Sequence, residues 1–276
     1  MKKILAFYLL LLICDNTVAQ HRLIKLWETD SVLKVPESVL YSAKDKLLYV
    51  SNIDGKDPWG NDGLGSLAKV GLDGNVIAAE WVKGFNAPKG MAMVKNNLYV
   101  ADMNALKVVD TKKGHIVKTI VVAGAQGLND VTADEKGIVY VSDSKGKKVF
   151  IIENDKASLL LENLKGPNGL LWHNGSLFVL DAGGMYRVGA DKNLTLITDG
   201  MEGNTDGLEH LAGNKEYIVS CWAGQLFYVN INGTKEKLLD TRDAKINAAD
   251  IGMNAAKRII YVPTFWKNTV IAYEIK

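Results

Sequence analysis

A short strand core, an aromatic or aliphatic residue followed by Val, recurs six times along the chain: Tyr49-Val50, Tyr99-Val100, Tyr140-Val141, Phe178-Val179, Ile218-Val219 and Tyr261-Val262. The spacings are 50, 41, 38, 40 and 43 residues, a period that belongs to repeat architectures. In the first four copies an Asn or Asp stands two places later (Asn52, Asp102, Asp143, Asp181), where it is expected to close a tight turn through its own backbone. Cys221 and Thr264 take that place in the last two.

Each core is followed by a second alternating run, such as Lys147 to Ile152 or Gln225 to Asn230, then a turn signal such as Asp73-Gly74 or Asn232-Gly233, then a third run. Alternation of apolar and polar residues is the period of a half-buried strand. With the strand that leads into the core, each unit makes a four-stranded antiparallel sheet, and no long helical pattern interrupts the series. Six such sheets bury one another when arranged radially, so the expected fold is an all-β, six-bladed β-propeller. The sixth unit ends after its third strand at Ile275-Lys276, while Leu23 to Thr29 is a strand-like run ahead of the first unit. The N-terminal strand is therefore expected to complete the last blade. A two-sheet sandwich also uses short strands and turns, but it does not call for six nearly equal units.

Residues 1–19 read as an export signal, with Lys2 and Lys3 at the start, an apolar run from Ile4 to Cys14, and Thr17-Val18-Ala19 as a small-residue cleavage site before Gln20. The apolar run is too short for a permanent membrane span. Residues 20–276 are expected to form one propeller domain, periplasmic or secreted. Lipid anchoring at Cys14 is the lesser alternative, because bulky Ile13 precedes it where a small residue is usual. Cleavage leaves Cys221 as the sole cysteine, so stability has to come from the core. Loss of Lys2, Lys3 and Asp15 leaves 31 basic and 30 acidic side chains, a balance that argues against nucleic acid as the partner.

Aligned on the repeated core, the motifs ahead of the leading strands are Pro36-Glu37-Ser38, Pro88-Lys89-Gly90, Asn129-Asp130-Val131, Pro167-Asn168-Gly169, Thr205-Asp206-Gly207 and Ala249-Asp250-Ile251. Equivalent positions in radial repeats lie at equivalent radius and height. The second residues, Glu37, Lys89, Asp130, Asn168, Asp206 and Asp250, are thus expected to ring one mouth of the central channel. Turn formation accounts for Asn168-Gly169 or Asp206-Gly207 taken singly. It does not account for Glu37 or Lys89, nor for ionisable groups at five of the six positions. The expected ring carries a formal charge of −3. Carboxylates crowded in a partly dry channel take up protons unless a cation sits among them, and oxygen-only ligands suit a hard ion such as calcium, magnesium or manganese. No histidine lies in the ring, which disfavours zinc.

At these residues the chain resembles the senescence-marker-protein, gluconolactonase and regucalcin-like family of six-bladed propellers. Pro36-Glu37-Ser38 is similar to the family's Pro-Glu-Gly, Asn168-Gly169 to its Asn-Gly, Thr205-Asp206-Gly207 to its Pro-Asp-Gly, and Asn129-Asp130 to its substrate-facing Asn-Asp pair. The resemblance implies one divalent cation, calcium foremost, held by Glu37, Asn168 and Asp206, with hydrolysis of a small polar lactone or ester beside it. It further implies that Asn129 positions the substrate and that Asp130 is the general base. The chain departs from the pattern at Gly127, where the family often has Arg, and at Val131, where it often has Gly. Lys89 is a candidate to replace the missing cation, or simply to neutralise Asp130 or Asp250. The rival reading is a non-catalytic propeller that binds a ligand or protein and keeps the metal as a structural pin.

The loop Asp54 to Gly63 lengthens the first unit and carries Trp59. Three readings suit it: a solvated insertion, a lid whose Trp59 stacks on a ligand, and a second calcium loop, whose spacing it does not match. His21, His115, His173 and His210 are scattered and none pairs at metal-ligand spacing. Trp222, Phe265 and Trp266 are expected to pack between blades, and Cys221 to be a small turn or core residue. No nucleophile elbow, phosphate loop or paired-cysteine motif is present.

Overall fold

In the computed structural model, which describes residues 21–201 and 204–276, the repeats form six four-stranded antiparallel sheets, the blades of a propeller. The export signal read at residues 1–19, Cys14 included, lies outside the described residues. The inner strands of blades 1 to 6 are Pro36–Ser42, Pro88–Val94, Leu128–Ala133, Pro167–His173, Thr205–Ala212 and Gly252–Asn254. Blades 1 to 5 each take four consecutive strands from inside to outside. Blade 6 takes its outermost strand, Leu23–Glu28, from the other end of the chain. Leu23 pairs with Ile275 and Glu28 with Ile271, so the ring closes by ladder hydrogen bonds between the two ends of the described chain.

The repeated core explains why the blades stack. Side chains alternate across a strand, so Tyr49 faces blade 2 while Val50 faces blade 6. The same alternation around the ring gives one hydrophobic cluster at each of the six blade interfaces. Tyr49, Tyr217 and Tyr261 are 1% exposed and Val50, Val100, Val141, Val179 and Val219 are fully buried. At about 1.5–3 kcal/mol for each large apolar side chain removed from water, these interfaces hold the blades together with no disulfide among the described residues. Cys221 is one of their buried members. No described helix is long and apolar enough to cross a membrane.

Candidate functional site

Strand pairing sets which residues share a level along the channel. Opposite the first residue of each repeated core stand Leu40, Ala92, Thr132, Leu171, Glu209 and Gly252. Counting back three places gives one tier: Glu37, Lys89, Asn129, Asn168, Asp206 and Ala249. Counting back two gives the next: Ser38, Gly90, Asp130, Gly169, Gly207 and Asp250. The expected ring is therefore corrected at two of its six positions. Asn129, not Asp130, stands with Glu37, and blade 6 contributes Ala249 instead of Asp250. The upper tier carries Glu37 and Asp206 against Lys89, a formal −1 where −3 was expected. The motif alignment failed in blades 3 and 6 because neither has the Pro or Thr that opens the others, and the pairing there slides the motif by one.

Three local devices aim the upper tier. The pairing is irregular at this point in each of the first five inner strands, between Pro36 and Ser38, Pro88 and Met91, Leu128 and Val131, Pro167 and Leu170, and Thr205 and Leu208. Such irregularities bend a strand and redirect a side chain. The recurrent aspartates supply the second device. Asp102 accepts from the N–H groups of Asn86 and Ala87, Asp143 from Gln126 and Gly127, and Asp181 from Lys165 and Gly166. They staple the chain two and three residues ahead of Lys89, Asn129 and Asn168; of the three, only Asp143 also closes its own turn, at Gly146 N–H. The third is close approach: a Cβ on Gly169 would sit 2.3 Å from the Asp206 carbonyl oxygen, and one on Gly207 2.4 Å from Ile251 N. Asn168-Gly169 and Asp206-Gly207 are thus strand residues at a tight seam between blades, not turns.

The upper tier floors a pocket of about 220 Å³. Glu37, Lys89, Asn129, Asn168 and Asp206 form its base, and Trp59, Trp222 and Phe265 its walls. Lys89, only 3% exposed, places Nζ 3.4 Å from Glu37 Oε1. Asn168 donates from Nδ2 to Asp206 Oδ1 at 2.9 Å, which leaves its carbonyl oxygen turned elsewhere. Among the described residues, Glu37 Oε2 and Asn168 Oδ1 are buried without a hydrogen-bond partner. Burial holds the Glu37 carboxyl above its usual range, with the Lys89 ammonium opposing it. Burial, then the Glu37 and Asp250 carboxylates, push Asp206 well above that range. Asn129 donates to Ser144 Oγ at 3.0 Å, and Ser144 donates to the Pro167 carbonyl at 2.6 Å, linking the blade 3 and blade 4 contributions.

Trp59 brings the Asp54–Gly63 loop over this mouth. The Nζ atoms of Lys89 and Lys145 each lie 4.3 Å from its ring centroid, within cation–π range. Trp222 and Phe265 pack between blades as expected, against Ile53, Ala87 and Ala249, and also wall the pocket, edge to face at 5.3 Å. Trp266 packs on Phe265 at 4.8 Å and is 47% exposed. Nothing in the alternation pattern distinguished Trp222 and Phe265 from core aromatics; their place just after the repeated core, level with the tier, is the signal that would have found them.

Asp130 and Asp250 line a second cavity of about 200 Å³ with Ser38, Thr132 and Glu209. Asp130 Oδ1 accepts from Val131 N–H at 2.7 Å and Oδ2 from Leu170 N–H at 2.6 Å, so this carboxylate ties blade 3 to blade 4. Ser38 donates to Asp250 Oδ2 at 2.5 Å, and their backbones form a parallel bridge joining blades 1 and 6. Burial raises both carboxyls well above their ordinary value, opposed at Asp130 by its two backbone bonds. Burial also pushes Glu209 up to about 8. His173 and His210 stack at 4.2 Å beyond this cavity, brought together by adjacent inner strands rather than by spacing in the chain.

Among the described residues no three His, Cys, Asp or Glu side chains group as a metal site; the upper tier offers two carboxylates and an amide. The chemistry of this set fits a hard divalent cation, since Glu37 Oε2 and Asn168 Oδ1 are buried oxygens that nothing else satisfies.

No family model and no curated protein matches the chain. Solved structures do. A gluconolactonase from Xanthomonas campestris superposes with TM-score 0.69 at 14% identity, covering 93% of this chain and 90% of its own. A streptogramin B lyase does so with TM-score 0.67 at 12% identity, over 93% and 98% of the two chains. A chain of the nidogen/laminin complex gives TM-score 0.64 at 14% identity, over 79% and 84%. At such identities the likeness establishes the fold, which serves enzymes and a binding complex alike.

Proposed function

We propose that this protein is a hydrolase of small polar lactones or esters, exported, and working at the channel mouth with one divalent cation, calcium foremost, held by Glu37, Asn168 and Asp206. The observation that carries this reading is the pair of unsatisfied buried oxygens, Glu37 Oε2 and Asn168 Oδ1, beside Asp206 at the floor of an aromatic-walled pocket. A cation bound there polarises a carbonyl and acidifies water.

The chain's own groups divide the remaining work. Trp59, Trp222 and Phe265 exclude bulk water, and Asn129, fixed through Ser144, positions the substrate. Lys89 Nζ is the donor of the tier, able to meet negative charge developing on a carbonyl oxygen. Asp130 does not face this pocket and both its oxygens accept backbone N–H groups, so the base assigned to it by resemblance has to come from the upper tier. Asp206, whose Oδ2 is not taken by Asn168, suits that role better than Glu37, whose Oε1 already carries the Lys89 ammonium. Elemental analysis of purified protein and a lactone panel with and without chelator test the reading. Absence of bound ion, together with undiminished hydrolysis by Asp206→Ala, would sink it.

The Lys89–Glu37 pair favours a second reading, because it compensates one carboxylate inside the protein. In that reading the propeller binds a ligand or protein partner without turnover. A lactone panel with no hydrolysis, alongside a melting temperature raised by calcium, is its expected signature.

A further inference from the structure

Beside the mouth pocket lies a lobe of about 310 Å³ that shares Trp59, Asn129, Asn168 and Asn204 with it and adds Ser144 and Lys165. The two cavities are therefore one bipartite cleft, with the candidate cation ligands under one end. The far end is basic. Lys165 lines it, and Lys145, next in the chain to the lining residue Ser144, places Nζ 4.3 Å from the centroid of Trp59, which also lines it. Neither ammonium has a carboxylate partner among the described residues. Asp143, beside Lys145, and Asp181 are occupied by backbone N–H groups, and Glu162, three residues before Lys165, makes no ion pair with it.

The position of Lys145 is built rather than incidental. Gly127 leaves the space that the Trp59 and Lys145 side chains fill: a Cβ there would meet Trp59 Cζ3 at 2.8 Å and Lys145 Cδ at 2.9 Å. An aromatic ring and an aliphatic stem packed on a glycine hold the ammonium at the rim. A small polar ligand seated over Glu37, Asn168 and Asp206 thus extends toward two ammonium groups that have no carboxylate partner among the described residues, one of them resting on the Trp59 ring.

From this we infer that the natural ligand is a small polar lactone or ester whose tail bears an anionic oxygen-acid group, carboxylate or phosphate, received between Lys145 and Lys165. This deepens the hydrolase reading and rests on it for the identity of the reacting end. The tail preference can be measured without turnover, using the ring-opened acids gluconate, glucarate and 6-phosphogluconate. These share one carboxylate and differ only in a tail that is hydroxymethyl, carboxylate or phosphate.

Calorimetric titration of the full mature chain with calcium present is expected to show glucarate or 6-phosphogluconate binding about tenfold tighter than gluconate, and the tighter of the two names the anion. In Lys145→Met/Lys165→Met that preference should shrink to about twofold or less, with gluconate affinity retained as the check on folding. Equal affinity for all three acids, no measurable binding of any, or a preference that survives in the double variant overturns the inference. Hydrolysis of the corresponding lactones is assayed separately. Tail preference without hydrolysis leaves the anion-receiving end standing and removes the hydrolase reading with the lactone or ester identity, while hydrolysis without tail preference removes the anion-receiving end alone.

Discussion

Two tiers of the channel, one residue apart along the inner strands, have opposite characters. The upper tier, Glu37, Lys89, Asn129, Asn168 and Asp206, faces a pocket and keeps unsatisfied oxygens. In the lower tier, Ser38, Asp130 and Asp250 spend their polar groups on binding blade to blade. Both tiers hold buried acids, so burial and charge alone do not mark a site. What separates them is where the hydrogen bonds go: a carboxylate that accepts two backbone N–H groups is part of the frame, and one left with an idle oxygen is available to a ligand.

The sharpest way to break this division is Asp206→Ala. It should remove bound calcium and lower kcat/KM for lactones about a thousandfold, the several kcal/mol that a cation contributes to carbonyl polarisation, with little change in urea stability measured without calcium. Asp130→Ala should do the reverse. Two backbone N–H groups lose their acceptor, costing about 2–3 kcal/mol in urea denaturation, while calcium content by elemental analysis stays at the parent level.

A third experiment addresses pH. Glu209 in the lower cavity has its carboxyl raised to about 8 from 4.5. The folded state then holds a proton that the unfolded state has released, so this group's stabilisation is full below about pH 4.5 and is lost as pH rises through about 8. Glu209→Gln should flatten that decline by at least about 1.4 kcal/mol, the worth of one pH unit, read from denaturation midpoints between pH 5 and 8. The smallest effect is expected from Gly127→Ala, which pushes Trp59 and Lys145 aside and should raise KM about three- to tenfold, near 1 kcal/mol, with kcat held.

Much of this was legible in the chain because a propeller writes its period into the sequence. Tyr49-Val50 and its five echoes required strands with both faces buried, and Leu23 to Thr29 was needed to close the ring. Glu37, Asn168 and Asp206 were also legible, since Pro36, Pro167 and Thr205 each open the inner strand one residue ahead of them. Asp130 and Asp250 were misplaced because blades 3 and 6 open differently, and a shift of one residue changes the face on which a side chain emerges. The purpose of Asp102 and Asp181 was misread, and that of Asp143 read only in part, for a related reason: their partners lie 15 to 17 residues back, beyond the reach of any local turn rule.

The sequence by itself determined the number of blades, their order and the closure of the ring, because repeated alternation has one radial solution. Only the tertiary structure decided which member of each motif faces the mouth. It alone also brought Trp222, Phe265 and Lys145 to the site and set Trp59, one of three readings of its loop, over the pocket. Strand register and loop docking depend on contacts between residues far apart in the chain, and no local pattern encodes those distances.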